Sequence, residues 1–221
     1  VGRKVDLFGN RQLGENRILT TPVANGRPGP SPQWSWDKRP SEGLHYISPS
    51  MSGFSVGVAY MPEGISGGLD DSDAWSLAGV YANGPLYLGV GYETMGENYP
   101  GVTGTNEPSS WRLSGSYKFG GGFRVTGLYQ GVDDDRGVNG NEWDVYGLGG
   151  AYSFGNNTVK AQYYNREGDD LLDNAGADYF ALGWDHKFSK RTMVYVTYAS
   201  VDNDSGAFFT VDSQGFDQGS G

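Results

Sequence analysis

Trp111-Arg112-Leu113-Ser114-Gly115-Ser116-Tyr117-Lys118-Phe119, a break at Gly120-Gly121-Gly122, then Phe123-Arg124-Val125-Thr126-Gly127-Leu128-Tyr129-Gln130: this stretch decides the fold. Before the break, one face reads Trp111, Leu113, Gly115, Tyr117 and Phe119, and the other reads Arg112, Ser114, Ser116 and Lys118. After it, Phe123, Val125, Gly127 and Tyr129 oppose Arg124, Thr126, Leu128 and Gln130. A side-chain period of two belongs to a strand, and a glycine run between two such segments reads as a hairpin. The large apolar residues stand at the strand ends, and the opposite face carries Arg, Lys, Thr and Gln. A soluble β-sandwich also alternates, but this distribution favours a membrane wall with one face in lipid and the other in water.

The same reading extends outward in both directions. Ten such runs occupy residues 43–201. Short connections at 48–52, 83–84, 119–122, 155–157 and 189–191 alternate with long ones at 62–73, 95–109, 132–142, 167–177 and after 201. All tight turns therefore fall at one end of a meander and all loops at the other, the asymmetry of outer-membrane β-barrels. The runs are near the 9–11 residues that a tilted membrane strand needs. Trp75, Tyr92, Trp111, Tyr129 and Tyr198 mark the loop ends; Tyr81, Tyr117, Phe119, Phe123, Phe154 and Phe188 mark the turn ends. Two aromatic bands are what the two membrane interfaces select.

Charge follows the same polarity. Of 26 acidic residues, 18 lie in the five long connections, whereas of 16 basic residues only Arg136 does. A one-sided acidic rim is a field that acts on ions. The net charge of −10 argues against a nucleic-acid partner. No apolar run reaches the ~18–20 residues of a membrane helix, which a barrel wall does not need. Cysteine is absent, so disulfide and thiol chemistry are excluded. His45 and His186 lack companions at metal-ligand spacing. No Ser/His/Asp constellation is recognisable, and Gly147-Leu148-Gly149-Gly150 lies in a strand rather than opening a helix. The chain reads as a non-enzyme.

Residues 1–42 break the pattern. Pro22, Pro28, Pro30 and Pro32, with Gly26 and Gly29, forbid a helix or a central strand. An irregular connection this long is usually functional or disordered. On strand direction, the run from 43 and the run ending at 201 would both have their outer ends on the loop side. A ten-stranded barrel of these alone would have both termini outside, whereas outer-membrane barrels generally keep theirs in the periplasm, and left unclosed the sheet would have open edges whose unpaired backbone groups cost several kcal/mol each in lipid. The expectation is part of a larger barrel.

Arg39-Pro40-Ser41-Glu42-Gly43-Leu44-His45-Tyr46-Ile47-Ser48-Pro49, followed by Gly53-Phe54-Ser55-Val56-Gly57-Val58-Ala59-Tyr60, resembles the segment after the constriction loop in the trimeric Gram-negative general porins. The stretch from Tyr198 to Ala207 is similar to the end of that family's penultimate strand. His45 stands where the family usually has Arg, and Ile47 where it often has Asp. The resemblance implies an all-β fold: a transmembrane antiparallel β-barrel of sixteen strands, with its third loop folded into the lumen. Residues 1–221 then form one partial barrel domain. Residues 7–42 are the constriction loop, 43–201 ten antiparallel strands, and 202–221 an outer loop.

The implied function is a water-filled channel in the Gram-negative outer membrane for passive diffusion of small hydrophilic solutes and ions. The implied partners are the lipid bilayer, lipopolysaccharide and two further copies in a homotrimer. Asp6, Glu15 and Asp37 on the loop would face the wall residues Arg3, Lys4, His45, Arg112, Arg124 and Lys160 and set a transverse field. The basic wall leans the expected selectivity weakly towards anions. No cofactor is expected. Asp70, Asp71, Asp133, Asp134, Asp202 and Asp204 are weak Ca²⁺ candidates, the last pair lacking the closing Glu of an EF-hand because Ser213 occupies that position. The rival reading is a structural or adhesive surface β-barrel whose loops are the active part.

Overall fold

The computed structural model describes residues 23–24, 27–28, 43–62, 73–96, 107–133, 142–167, 176–205, 207 and 209. Two short strands, β1 (Val23–Ala24) and β2 (Arg27–Pro28), pair with each other. The main sheet has ten strands: β3 (Leu44–Ile47), β4 (Phe54–Met61), β5 (Ala74–Asn83), β6 (Leu86–Met95), β7 (Ser109–Lys118), β8 (Phe123–Asp133), β9 (Glu142–Phe154), β10 (Asn157–Arg166), β11 (Ala177–Lys187) and β12 (Met193–Asn203). Each strand pairs antiparallel with its sequence neighbours, in unbroken order from β3 to β12. β12 continues to Asn203, two residues into the stretch read as outer loop, because Asn203 still pairs with Ala177.

The burial pattern is inverted relative to a water-soluble protein. Directly paired residues share a face, so the register assigns Trp75, Leu77, Val90, Trp111, Leu113, Val125, Leu148, Leu182 and Val196 to one face, and all are exposed. On the other face Ser76, Ser110, Arg112, Thr126, Gln130, Lys160, Gln162 and Arg166 are buried. A curved single sheet shelters its concave side and exposes its convex side. Each large convex side chain gains about 1.5–3 kcal/mol on leaving water, so this face calls for lipid.

Two aromatic bands cross the convex face. At the loop end Tyr60 lies 4.3 Å from Trp75, Trp111 4.9 Å from Tyr129, and Tyr129 5.1 Å from Tyr146, centroid to centroid. Trp111 covers Gly131 so closely that a Cβ there would meet its indole nitrogen at 2.6 Å. At the turn end Phe54 lies 4.4 Å from Tyr81 and Phe123 5.2 Å from Tyr152. Ring pairs at this spacing add to area burial, and two aromatic bands of this kind are what the two headgroup levels of a bilayer select.

The glycine break of the opening hairpin is a single 3-10 turn, Gly120–Gly122. Gly122 has φ +90°, and a Cβ there would stand 2.2 Å from the Ser153 carbonyl oxygen. Only glycine satisfies both constraints. Gly122→Ala is expected to destabilise the barrel by about 1–3 kcal/mol, read as a lowered denaturant midpoint of the folded protein in vesicles. An unchanged midpoint would show that this turn yields freely.

β3 and β12 each have one neighbour among the described strands. With the convex face in lipid, open edges are untenable, and the sheet is a portion of a closed barrel. Arg112 is the second residue of a row that runs Gly91, Arg112, Gln130, Val145, Arg166, Ala177, Asn203. That row starts within β6 and ends at the last residue of β12, so it climbs towards the loop end. This is the stagger of tilted barrel strands.

Candidate pore wall

The concave face sorts charge by sign. Period-two alternation puts His45, Arg112, Lys118, Arg124, Lys160, Arg166 and Lys187 on it, together with Glu93 and Asp185. The convex face at the loop end carries Asp133, Glu142, Asp144, Asp178 and Asp202. The basic groups therefore face the interior, and most strand-borne carboxylates sit outside, beyond the aromatic band.

Two charge-bearing contacts organise the wall. The Arg112 Nε–H donates to Gln130 Oε1 at 2.7 Å, between directly paired residues of β7 and β8. Such a bond fixes the guanidinium plane against the wall and leaves its remaining donors for other partners. The Lys160 ammonium donates to Asp185 Oδ2 at 2.8 Å, with side chains only 3% and 12% exposed. Lys160 pairs directly with Gly183 and Asp185 with Thr158, so the contact is a diagonal one across β10 and β11. A glycine opposite leaves room for the lysine to reach across. Ser110 Oγ donates to the Gly131 carbonyl at 3.2 Å, and Ser153 and Thr158 share a bond of 2.9 Å. These hydroxyls satisfy the wall locally.

Towards the loop end the concave face turns apolar. Met61, Ala74, Met95, Val132, Trp143, Val145, Ala177 and Phe209 are buried in one cluster. Arg166 lies among them, with its guanidinium 4.2 Å from the centre of the Trp143 ring.

Of the site residues expected from sequence, Arg112, Arg124 and Lys160 occupy the concave wall, Arg112 and Lys160 buried and Arg124 half-buried. His45 is on the same face in β3, exposed beside the open edge. Arg3, Lys4, Asp6, Glu15 and Asp37 lie outside the described residues, as do Asp70, Asp71 and Asp134. Asp133, Asp202 and Asp204 are exposed at the loop end, and among the described residues no three carboxylate or histidine groups converge on a metal-sized site. Sequence reasoning did not select Arg166, Gln130 or Asp185 as site residues, although Gln130 and Asp185 fall on polar faces of their runs. Arg166 shares parity with Lys160, Gln162 and Tyr164 in one run, and counting in twos to its end would have found it. Asp185 shares parity with Lys187, but its partner lies on another strand.

A family profile described as Gram-negative porin matches residues 5–206. Outer membrane porin protein 32 of Delftia acidovorans is 28% identical over 179 residues, which cover 78% of this chain and 49% of that protein. The chain thus spans about half the length of this curated relative. Among solved structures, a porin refined at 1.8 Å superposes with a TM-score of 0.62 at 21% identity, covering 87% of this chain and 71% of that one. The in vitro folded OmpT of Vibrio cholerae, in its trimer form, gives 0.55 at 16% identity, covering 73% and 54%. These likenesses concern the fold. With the family match running across nearly the whole chain and a sheet that is apolar outside and polar inside, the chain belongs to the Gram-negative porin family and is part of a multi-pass β-barrel of the outer membrane.

Proposed function

We propose that the intact protein is a water-filled channel for passive diffusion of small hydrophilic solutes and ions. The observation that carries this reading is the inverted wall: Arg112, Gln130, Lys160 and Gln162 are buried on the concave side while Leu113, Leu148 and Leu182 are exposed on the convex side. A surface built this way lowers the cost of moving a hydrated solute by offering polar partners in place of its water shell. Residues 7–42 act as the constriction, with Asp6, Glu15 and Asp37 opposed to Arg3, Lys4 and the basic wall. Three copies assemble through their convex faces, and the remaining convex surface meets the bilayer and lipopolysaccharide. Purified intact protein in planar bilayers is expected to give stepwise conductance, and vesicles containing it are expected to swell in pentoses. A protein that inserts but passes neither ions nor sugars would favour the structural or adhesive surface barrel instead.

The preference for anions is the finer part of the proposal. It rests on the basic residues of the described concave face, Arg112, Lys118, Arg124 and Lys187 among them, outnumbering its carboxylates Glu93 and Asp185, the latter paired with Lys160, because charge close to the ion path weighs more than a rim screened within about 8–10 Å by salt. Under a KCl gradient the reversal potential is expected to carry the anion-selective sign. Arg112→Gln with Arg124→Gln should move it towards zero. A cation-selective native channel would overturn this sign.

A further inference from the structure

Beyond β12 the chain turns back on itself. The Asn203 side chain holds the Phe209 backbone twice: its Nδ2 donates to the Phe209 carbonyl at 3.0 Å, and its Oδ1 accepts from the Phe209 N–H at 2.9 Å. A side-chain amide here supplies the donor and acceptor that a paired strand would supply. The Asp204 N–H donates to the Gly176 carbonyl at 3.0 Å, and the Ala207 N–H to the Asp204 carbonyl at 2.9 Å. Together these bonds close a compact bend against the start of β11.

The side chains within the bend point the same way. Ala207 and Phe209 are 3% and 4% exposed and belong to the apolar cluster of the concave mouth. The Arg166 guanidinium lies 4.2 Å from the Trp143 ring centre and 5.0 Å from that of Phe209. A cation within about 6 Å of two ring faces is attracted to both, the more so when shielded from water, and Arg166 is itself 2% exposed. Trp143 and Arg166 stand on the concave face by register, in rows with Val132 and with Val145. Phe209 is therefore inside the mouth. An aromatic that served the membrane band would stand on the convex side with Trp111 and Tyr146, and one on a loop leaving for solvent would be exposed.

We propose that this clasp, Asn203 on the Phe209 backbone and Phe209 against Arg166 and Trp143, holds the bend after β12 against the inner wall of the loop-end mouth and narrows the mouth there. The proposal rests on the channel reading above. Phe209, Asn203 and Arg166 act as positioning residues: none needs to touch the solute, because what they fix is where the backbone lies. Loss of the clasp should widen the mouth for solutes that nearly fill it and matter little to those that do not.

The test compares swelling rates of vesicles carrying the intact porin in arabinose, a pentose, and raffinose, a trisaccharide. Phe209→Ala and Asn203→Ala are each expected to raise the raffinose-to-arabinose ratio at least about threefold, with the arabinose rate changed less than about twofold. Arg166→Lys keeps the charge, loses the flat face against the two rings, and should shift the ratio in the same direction by less. A change in the number of inserted channels would alter both sugars alike and leave the ratio still. Asn203→Ala removes two hydrogen bonds without cutting into the apolar cluster, so it decides the matter if Phe209→Ala fails to insert. A native ratio in the inserted variants overturns the clasp. Native vesicles that do not swell in arabinose overturn the channel reading, and this proposal with it.

Discussion

Leu148→Arg is expected to cost about 2–4 kcal/mol of folding free energy in lipid vesicles, the range for a cation at the bilayer midplane of a barrel. Leu148 is 64% exposed, and in water-soluble proteins a surface change of this kind usually falls within about 0.5 kcal/mol. The difference between those figures measures what covers the convex face. Leu148 pairs with Gly127 and Tyr163 and stands in the middle of β9, between Tyr146 of the loop-end band and Tyr152 of the turn-end band. An arginine there is about 7 Å of strand from Tyr146 and about twice that from Tyr152, so only a fully stretched side chain reaches the loop-end interface. The control is Ser116→Arg, half-buried on the opposite face in β7, where the added charge enters a polar lumen and is expected to cost less than about 1 kcal/mol. Guanidinium unfolding from vesicles reads both. A neutral Leu148→Arg would mean that the convex face is not in lipid.

Lys160→Met is expected to cost about 3 kcal/mol, because it leaves the Asp185 carboxylate in a sheltered wall without the ammonium 2.8 Å away. Desolvation makes the remaining charge expensive, and salt cannot readily screen a pair so little exposed. The change Lys160→Met with Asp185→Leu removes both charges and is expected to recover most of the loss, as such replacements of buried pairs often do. A double-mutant cycle isolates the coupling. If Lys160→Met alone costs under about 0.5 kcal/mol, the pair is a wet one of the kind found on open surfaces, and the wall around it is more hydrated than its burial indicates.

The two substitutions draw on different levels of information. That Leu148 faces outward and Lys160 inward was legible along each run, because alternate side chains of a strand must point to opposite faces and only one parity was apolar. The turns were legible for a related reason: Gly120-Gly121-Gly122 and Gly155-Asn156 supply the positive φ that tight reversals need, and Gly121, Gly122 and Gly155 adopt it. Parity alone puts Arg112, Arg124 and Lys160 on the polar side of their runs, and the register sets that side on the concave face.

Their partners were not legible. Arg112 with Gln130 follows from the hairpin, where a short turn fixes which residues oppose. Lys160 with Asp185 spans the long 167–177 connection, and a slip of one residue there would turn every side chain of β11 to the other face. Burial on the core side settles that register, and burial is a property of the assembled wall. Arg166 was missed as a wall residue because nothing near it in sequence announces Trp143 and Phe209 as its neighbours.

The sequence by itself determined the class of molecule: period two, alternating turn and loop lengths, aromatic ends and loop-borne acid specify a membrane β-barrel wall, since each is a local requirement of a strand crossing lipid. Tertiary structure alone decided which charges meet across the wall and that Phe209 turns into the mouth. Those contacts join residues far apart in the chain, from different strands and from the bend after β12, and only the stagger of the tilted sheet brings them to one height.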